Sequence, residues 1–155
     1  MSDTAALASA GCPQPTFPLC CRIQFPPRPL GDFCVDQVRD NNGNPATILE
    51  AALPFDVTGR IVITAGNALT GTATVTIYAD QLGGPIDQAI GSVSVPIPGD
   101  GTFPWTVTVP AGTLPDAPAG GSNLYRLAAV FTMVNSAGTA TETSSFVDLG
   151  TFRIS

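Results

Sequence analysis

From Phe55 to the end of the chain, apolar side chains recur at every second residue, and no stretch repeats them at a convincing helical spacing. In Phe55–Ile63 they fall at 55, 57, 61 and 63, with Asp56, Thr58 and Arg60 between them. Ala73, Val75, Ile77 and Ala79 alternate with Thr72, Thr74, Thr76 and Tyr78, and Gly83-Gly84-Pro85 then breaks the chain. Val93, Val95 and Ile97 lead to the turn Pro98-Gly99-Asp100-Gly101. Phe103, Trp105, Val107 and Val109 follow, with Thr102, Thr106 and Thr108 facing away. A period of two is the signature of a pleated strand with one buried face, so the bulky row containing Trp105 reads as a core face. Leu124–Val134 is apolar on both faces for most of its length, as a central strand would be. Asn135-Ser136-Ala137-Gly138 turns the chain into Thr139–Val147, and Phe152-Arg153-Ile154 ends it. At least six short strands without a helix predict an all-β fold, an antiparallel β-sandwich of jelly-roll or immunoglobulin-like type. No cysteine pair flanks Trp105, so the disulfide that marks antibody domains is absent.

The first part of the chain reads differently. Prolines at 13, 15, 18, 26, 27 and 29 oppose helix and central-strand hydrogen bonding. They predict an extended Pro/Cys-rich N-terminal arm over residues 1–31, followed by a single sandwich domain over 32–155. Pro26-Pro27-Arg28-Pro29 reads as a stiff spacer, residues 32–40 fit a short helix or a strand, and Asn41–Pro45 is a turn by composition. All four cysteines lie in the first 34 residues: Cys12, Cys20, Cys21 and Cys34. The pattern C-x7-C-C-x12-C lacks the close C-x2-C pairs of structural zinc, and no histidine completes a metal site. The four are therefore disulfide or crosslink candidates. On extended chain Cys20 and Cys21 point to opposite sides and reach different partners, within the arm or on a neighbouring subunit.

Composition removes whole classes of function. All six basic residues are arginines, the net charge is −6, and nothing resembles the clustered basic patch that nucleic acid requires. No run approaches the ~20 apolar residues of a spanning helix, so no membrane insertion is expected. Met1–Ala10 has no basic or hydrophobic region of a secretion signal. Without histidine there is no Ser-His-Asp or Cys-His arrangement, and without lysine no Schiff base or P-loop. The chain is not expected to be an enzyme or to hold a cofactor. Asp40-x-Asn42-x-Asn44 begins like a calcium loop, but its sixth and twelfth positions hold Pro45 and Ala51 where glycine and glutamate are needed. Charged residues make up only 12% of the chain, about half the roughly 25% usual for soluble domains. A surface so poor in charge resembles an interface core.

A proline-rich arm bearing Cys12 and the Cys20-Cys21 pair, ahead of a cysteine-free sandwich, resembles the subunits of bacterial surface fibres of the endospore-appendage type. The resemblance implies a jelly-roll body and an N-terminal connector whose cysteines form disulfides to neighbouring subunits. The expected function is a non-catalytic structural subunit that self-assembles with copies of itself into a fibre, tube or shell, at an extracellular, cell or spore surface. The alternative is a monomeric binding module for carbohydrate or protein, using the turn at 98–101 and the loop at 110–122 together at one end of the sandwich.

Overall fold

The computed structural model of the protein describes residues 16–25, 28–65, 70–116, 122–135 and 142–155. These residues build nine strands: β1 (Leu19–Phe25), β2 (Arg28–Arg39), β3 (Ile48–Leu49), β4 (Phe55–Ile63), β5 (Gly71–Gln81), β6 (Asp87–Ile97), β7 (Gly101–Val109), β8 (Leu124–Asn135) and β9 (Glu142–Ile154). They form a four-stranded sheet in the order β1-β2-β4-β7 and a five-stranded sheet in the order β3-β9-β8-β5-β6. All pairings are antiparallel except the short β3, which runs parallel to β9. The fold is a β-sandwich.

Alternation in the sequence becomes burial in the structure. Along β4, Phe55, Val57, Gly59, Ile61 and Ile63 are buried, and the residues between them are only partly so. Val75, Ile77, Tyr125, Leu127 and Phe131 line the facing side of the five-stranded sheet. Phe33 stacks between Trp105 on its own sheet and Phe131 on the other, with ring centroids 5.6 and 5.5 Å away. Trp105 fits because Gly59 lies opposite it on β4: a Cβ there would meet the indole at 2.4 Å and the carbonyl of Cys34 at 2.1 Å. Pro96 and Pro104 sit on β6 and β7, the edge strands of their sheets, where a missing N–H breaks no ladder and blocks further pairing.

Two stretches differ from the sequence reading. Residues 32–39 are strand, and so are 19–25 and 28–31: the boundary expected between residues 31 and 32 falls inside β2, and much of the segment read as an irregular arm is a paired hairpin. Prolines 18, 26 and 27 bracket Leu19–Phe25 without interrupting it, and as an edge strand it needs partners on one side only. At the other terminus, β9 runs unbroken from Glu142 to Ile154 instead of dividing after Val147. The register shift between Asp148 and Gly150 is absorbed at Gly150, where φ is 91° and the N–H donates to Asp148 Oδ1 at 2.9 Å.

Candidate functional site

The cysteines were the candidate functional residues, and the hairpin of β1 and β2 determines what they do. Leu19, Cys21 and Ile23 face inward from β1, while Cys20 and Arg22 face outward. The register sets Cys20 directly opposite Cys34, with Cα atoms 4.1 Å apart, and the two form a disulfide within the chain. Cys34 lies between Cys20 and Arg60 of β4 and is only 2% exposed, whereas Cys20 is exposed. As the alternation predicts, Cys21 points the other way. It is a half-buried free thiol packed against the core. Cys12 lies outside the described residues.

The disulfide ties the strand by which the chain enters the sandwich to its neighbour, two residues after Pro18. The adjoining edge is tied a second way, because Ser145 Oγ on β9 donates to the carbonyl of Arg22 at 3.3 Å. That bond also shows that the Arg22 carbonyl points away from β2.

The two loops proposed as a joint binding site lie at opposite ends of the molecule. The turn at 98–100 precedes β7 and the loop from 110 follows it, and a nine-residue strand separates its ends by about 30 Å. The residues beyond Val109 join a different group of connections: Gly112 N–H donates to the Ala51 carbonyl at 2.7 Å, and Leu82 N–H to the Leu124 carbonyl at 2.9 Å. Buried Gln81 fastens this end, donating through Nε2 to the Ser122 carbonyl at 2.8 Å and accepting from Ile86 N–H at 3.3 Å.

Two surface clefts open near the β2–β3 connection, of about 410 and 500 Å³. Their polar groups serve the fold. Asp40 Oδ1 accepts from the N–H groups of Asn42 and Asn44 at 2.9 and 3.0 Å, which makes the Asp40–Asn44 segment a side-chain-capped turn. Asp56 accepts the Thr108 hydroxyl at 2.7 Å and lies 3.8 Å from Arg39. Among the described residues, no three His, Cys, Asp or Glu side chains gather as metal ligands would, and no helix is long and apolar enough to cross a membrane.

Charge is distributed differently over the two outer faces. The four-stranded sheet carries Arg22 opposite Asp32, the ion pair of Arg60 with Asp36, and the Arg39–Asp56–Thr108 group. On the five-stranded sheet, successive rows across β9, β8, β5 and β6 read Ser144-Thr132-Thr74-Ser94, then Phe146-Val130-Thr76-Ser92, then Asp148-Ala128-Tyr78-Ala89. Asp148 lies 3.9 Å from Arg126 at one end of that face. Sequence reasoning did not find this surface. The Thr72-x-Thr74-x-Thr76 alternation and Phe146 were its signals, but only the strand order brings them side by side.

No protein-family model and no curated protein matches the sequence. Among solved structures, the chain is similar to a beta-glucosidase from Listeria innocua, in complex with gluconolactone, at 10% identity and a TM-score of 0.46. The similarity covers 81% of this chain and 17% of the glucosidase. It is also similar to Spo0M, a sporulation control protein from Bacillus subtilis, at 11% identity and a TM-score of 0.38, over 70% of this chain and 45% of Spo0M. Both scores lie below 0.5.

Proposed function

We propose that the protein is a non-catalytic structural subunit with an immunoglobulin-like body, joined to copies of itself through the segment that precedes β1. The observation that carries this reading is the Cys20–Cys34 bond. A pull on the chain at Pro18 would otherwise peel an edge strand from its sheet, one of the weakest responses of a sandwich. The disulfide passes that load to β2, which is held on its other side by β4. Covalent reinforcement at the point of entry suits a connector under tension, and Cys12 supplies a thiol ahead of that point for a crosslink to a neighbour. Extracellular or surface location belongs to the same proposal, supported by the disulfide's requirement for an oxidising environment.

The strand order supports the immunoglobulin-like assignment over the jelly roll. From β2 onward, β2-β4-β7 faces β9-β8-β5-β6, with short β3 parallel to the last strand. Tyr125, near the start of β8, donates its hydroxyl to the Pro115 carbonyl at 2.8 Å, the arrangement of a tyrosine corner. The tryptophan departs from the antibody pattern by sitting on β7. Kinship with endospore-appendage subunits is on this reading one of layout, an N-terminal cysteine connector on a sandwich, and not of body topology.

Full-length protein, alkylated at harvest and run on a non-reducing gel, tests the connector. Wild type is expected to give a disulfide-linked dimer, Cys12 to Cys12, that collapses to monomer in the Cys12→Ser variant. A dimer band that survives this change excludes Cys12 as the crosslink.

A further inference from the structure

We propose that the outer face of the five-stranded sheet is a surface through which two copies of this chain pair face to face. The inference rests on the assembly reading in that both require copies of the chain to meet, and it adds a second, non-covalent contact. Phe146 and Val134 stand 59% and 55% exposed on adjacent strands, with Tyr78 42% exposed on the next. Around them lie Thr74, Thr132, Ser94 and Ser144, short side chains that lose little rotamer freedom when covered. An ordinary solvated sheet face carries charged residues along its length. Here the rows Ser144-Thr132-Thr74-Ser94 and Phe146-Val130-Thr76-Ser92 carry none; Asp148 stands in the next row, Arg126, Asp80, Asp87 and Arg153 lie beyond it, and Glu142, the first residue of β9, takes a row position at the other end.

The occupant follows from charge. Two chains of net charge −6 repel wherever their acids face each other. The uncharged rows of this face are where they approach at least cost. A partner recognised by charge would find nothing in the rows of Ser144 and Phe146, whereas a second copy of the same face is matched in polarity. With the two-fold axis lying across the strands, the Arg126 end of one copy meets the Val134 end of the other, and the Asp80–Asp87 pairs of the two copies stay apart. Strand spacing and rise give the four long strands a face of about 20 by 27 Å, so a pair buries on the order of 1,000 Å². That reaches the lower bound for a specific interface and predicts a reversible, concentration-dependent contact.

The test is sedimentation velocity of the full chain over a wide concentration range, in a Cys12→Ser background so that connector crosslinks do not hold copies together. The parent is expected to form dimers, and Phe146→Arg and Val134→Arg each to weaken dimerisation tenfold or more. Thr106→Arg, on the outer face of the other sheet, is expected to leave it unchanged, with thermal melts confirming that all variants fold. Dimers that persist in both face variants overturn this surface while leaving the assembly reading standing. Equal loss in Thr106→Arg overturns it as well. A parent that stays monomeric overturns the face, and the connector is then judged by the Cys12-dependent dimer band alone.

Discussion

The hydroxyl of Tyr125, a side chain with no exposed surface, donates to the carbonyl of Pro115 at 2.8 Å and so fastens the connection between β7 and β8 to the sheet. Burial, and secondarily the negative charge of Asp116, raises the pKa of this phenol above its ordinary value. At pH 7 both the folded and the unfolded chain hold the proton. Above pH about 10 the unfolded chain releases it first, so the stability contributed by Tyr125 is present below that pH and is lost as pH rises through the folded value. Urea midpoints should therefore fall between pH 9 and 11, and with no lysine in the chain no side-chain ammonium contributes to the fall. Tyr125→Phe should cost about 1 kcal/mol at pH 7 and flatten that decline. An alkaline slope unchanged in Tyr125→Phe would separate the decline from this residue.

The Cys20–Cys34 bond closes a loop of sequence separation 14. Loop-closure entropy of that length corresponds to about 3 kcal/mol. The double variant Cys20→Ala/Cys34→Ala should lose roughly that amount in equilibrium urea unfolding under non-reducing conditions. Reductant should have no further effect on the variant, and should bring wild type close to it.

Gly59 is the place where the core tolerates least change. A methyl group there meets the Cys34 carbonyl and the Trp105 ring below van der Waals distance, whereas at Gly99 it meets nothing within 4 Å. Gly59→Ala should destabilise by about 2–3 kcal/mol through overpacking, and Gly99→Ala should be nearly neutral. Thermal melts of the two single variants make the comparison.

Asp40 spends its carboxylate on two backbone N–H groups. Asp40→Ala should cost about 1 kcal/mol by leaving those donors to water, and Asp40→Asn, which keeps an acceptor oxygen, should cost less. Millimolar calcium should not shift the melting temperature of wild type. A calcium-dependent rise that disappears in Asp40→Ala would make the turn a cation site instead.

How much of this was legible in the sequence depends on which residues are asked about. Phe55–Ile63, Gly71–Gln81 and Gly101–Val109 declare themselves by alternation, because each buries one face of its strand and leaves the other to threonine or charge. Leu19–Phe25 does not. Its inward row is Leu19, Cys21 and Ile23, in which a cysteine acting as a core residue reads as a crosslinking thiol, and flanking prolines make the segment read as irregular. The Cys20–Cys34 pair needs a register, and no register exists until β1 and β2 are known to be a hairpin. The same holds for the uncharged rows of the five-stranded sheet: Phe146, Val130 and Thr76 are scattered over 71 positions of sequence and become neighbours only through the order β9-β8-β5.

The central claim is that this chain exists to join copies of itself. The most direct measurement is the native mass of the full chain, alkylated at harvest, by light scattering across a range of concentrations with and without reductant. The account predicts particles many times the 15.8 kDa of one chain, diminished when disulfides are reduced. A single 15.8 kDa species at every concentration, in both conditions, would contradict it.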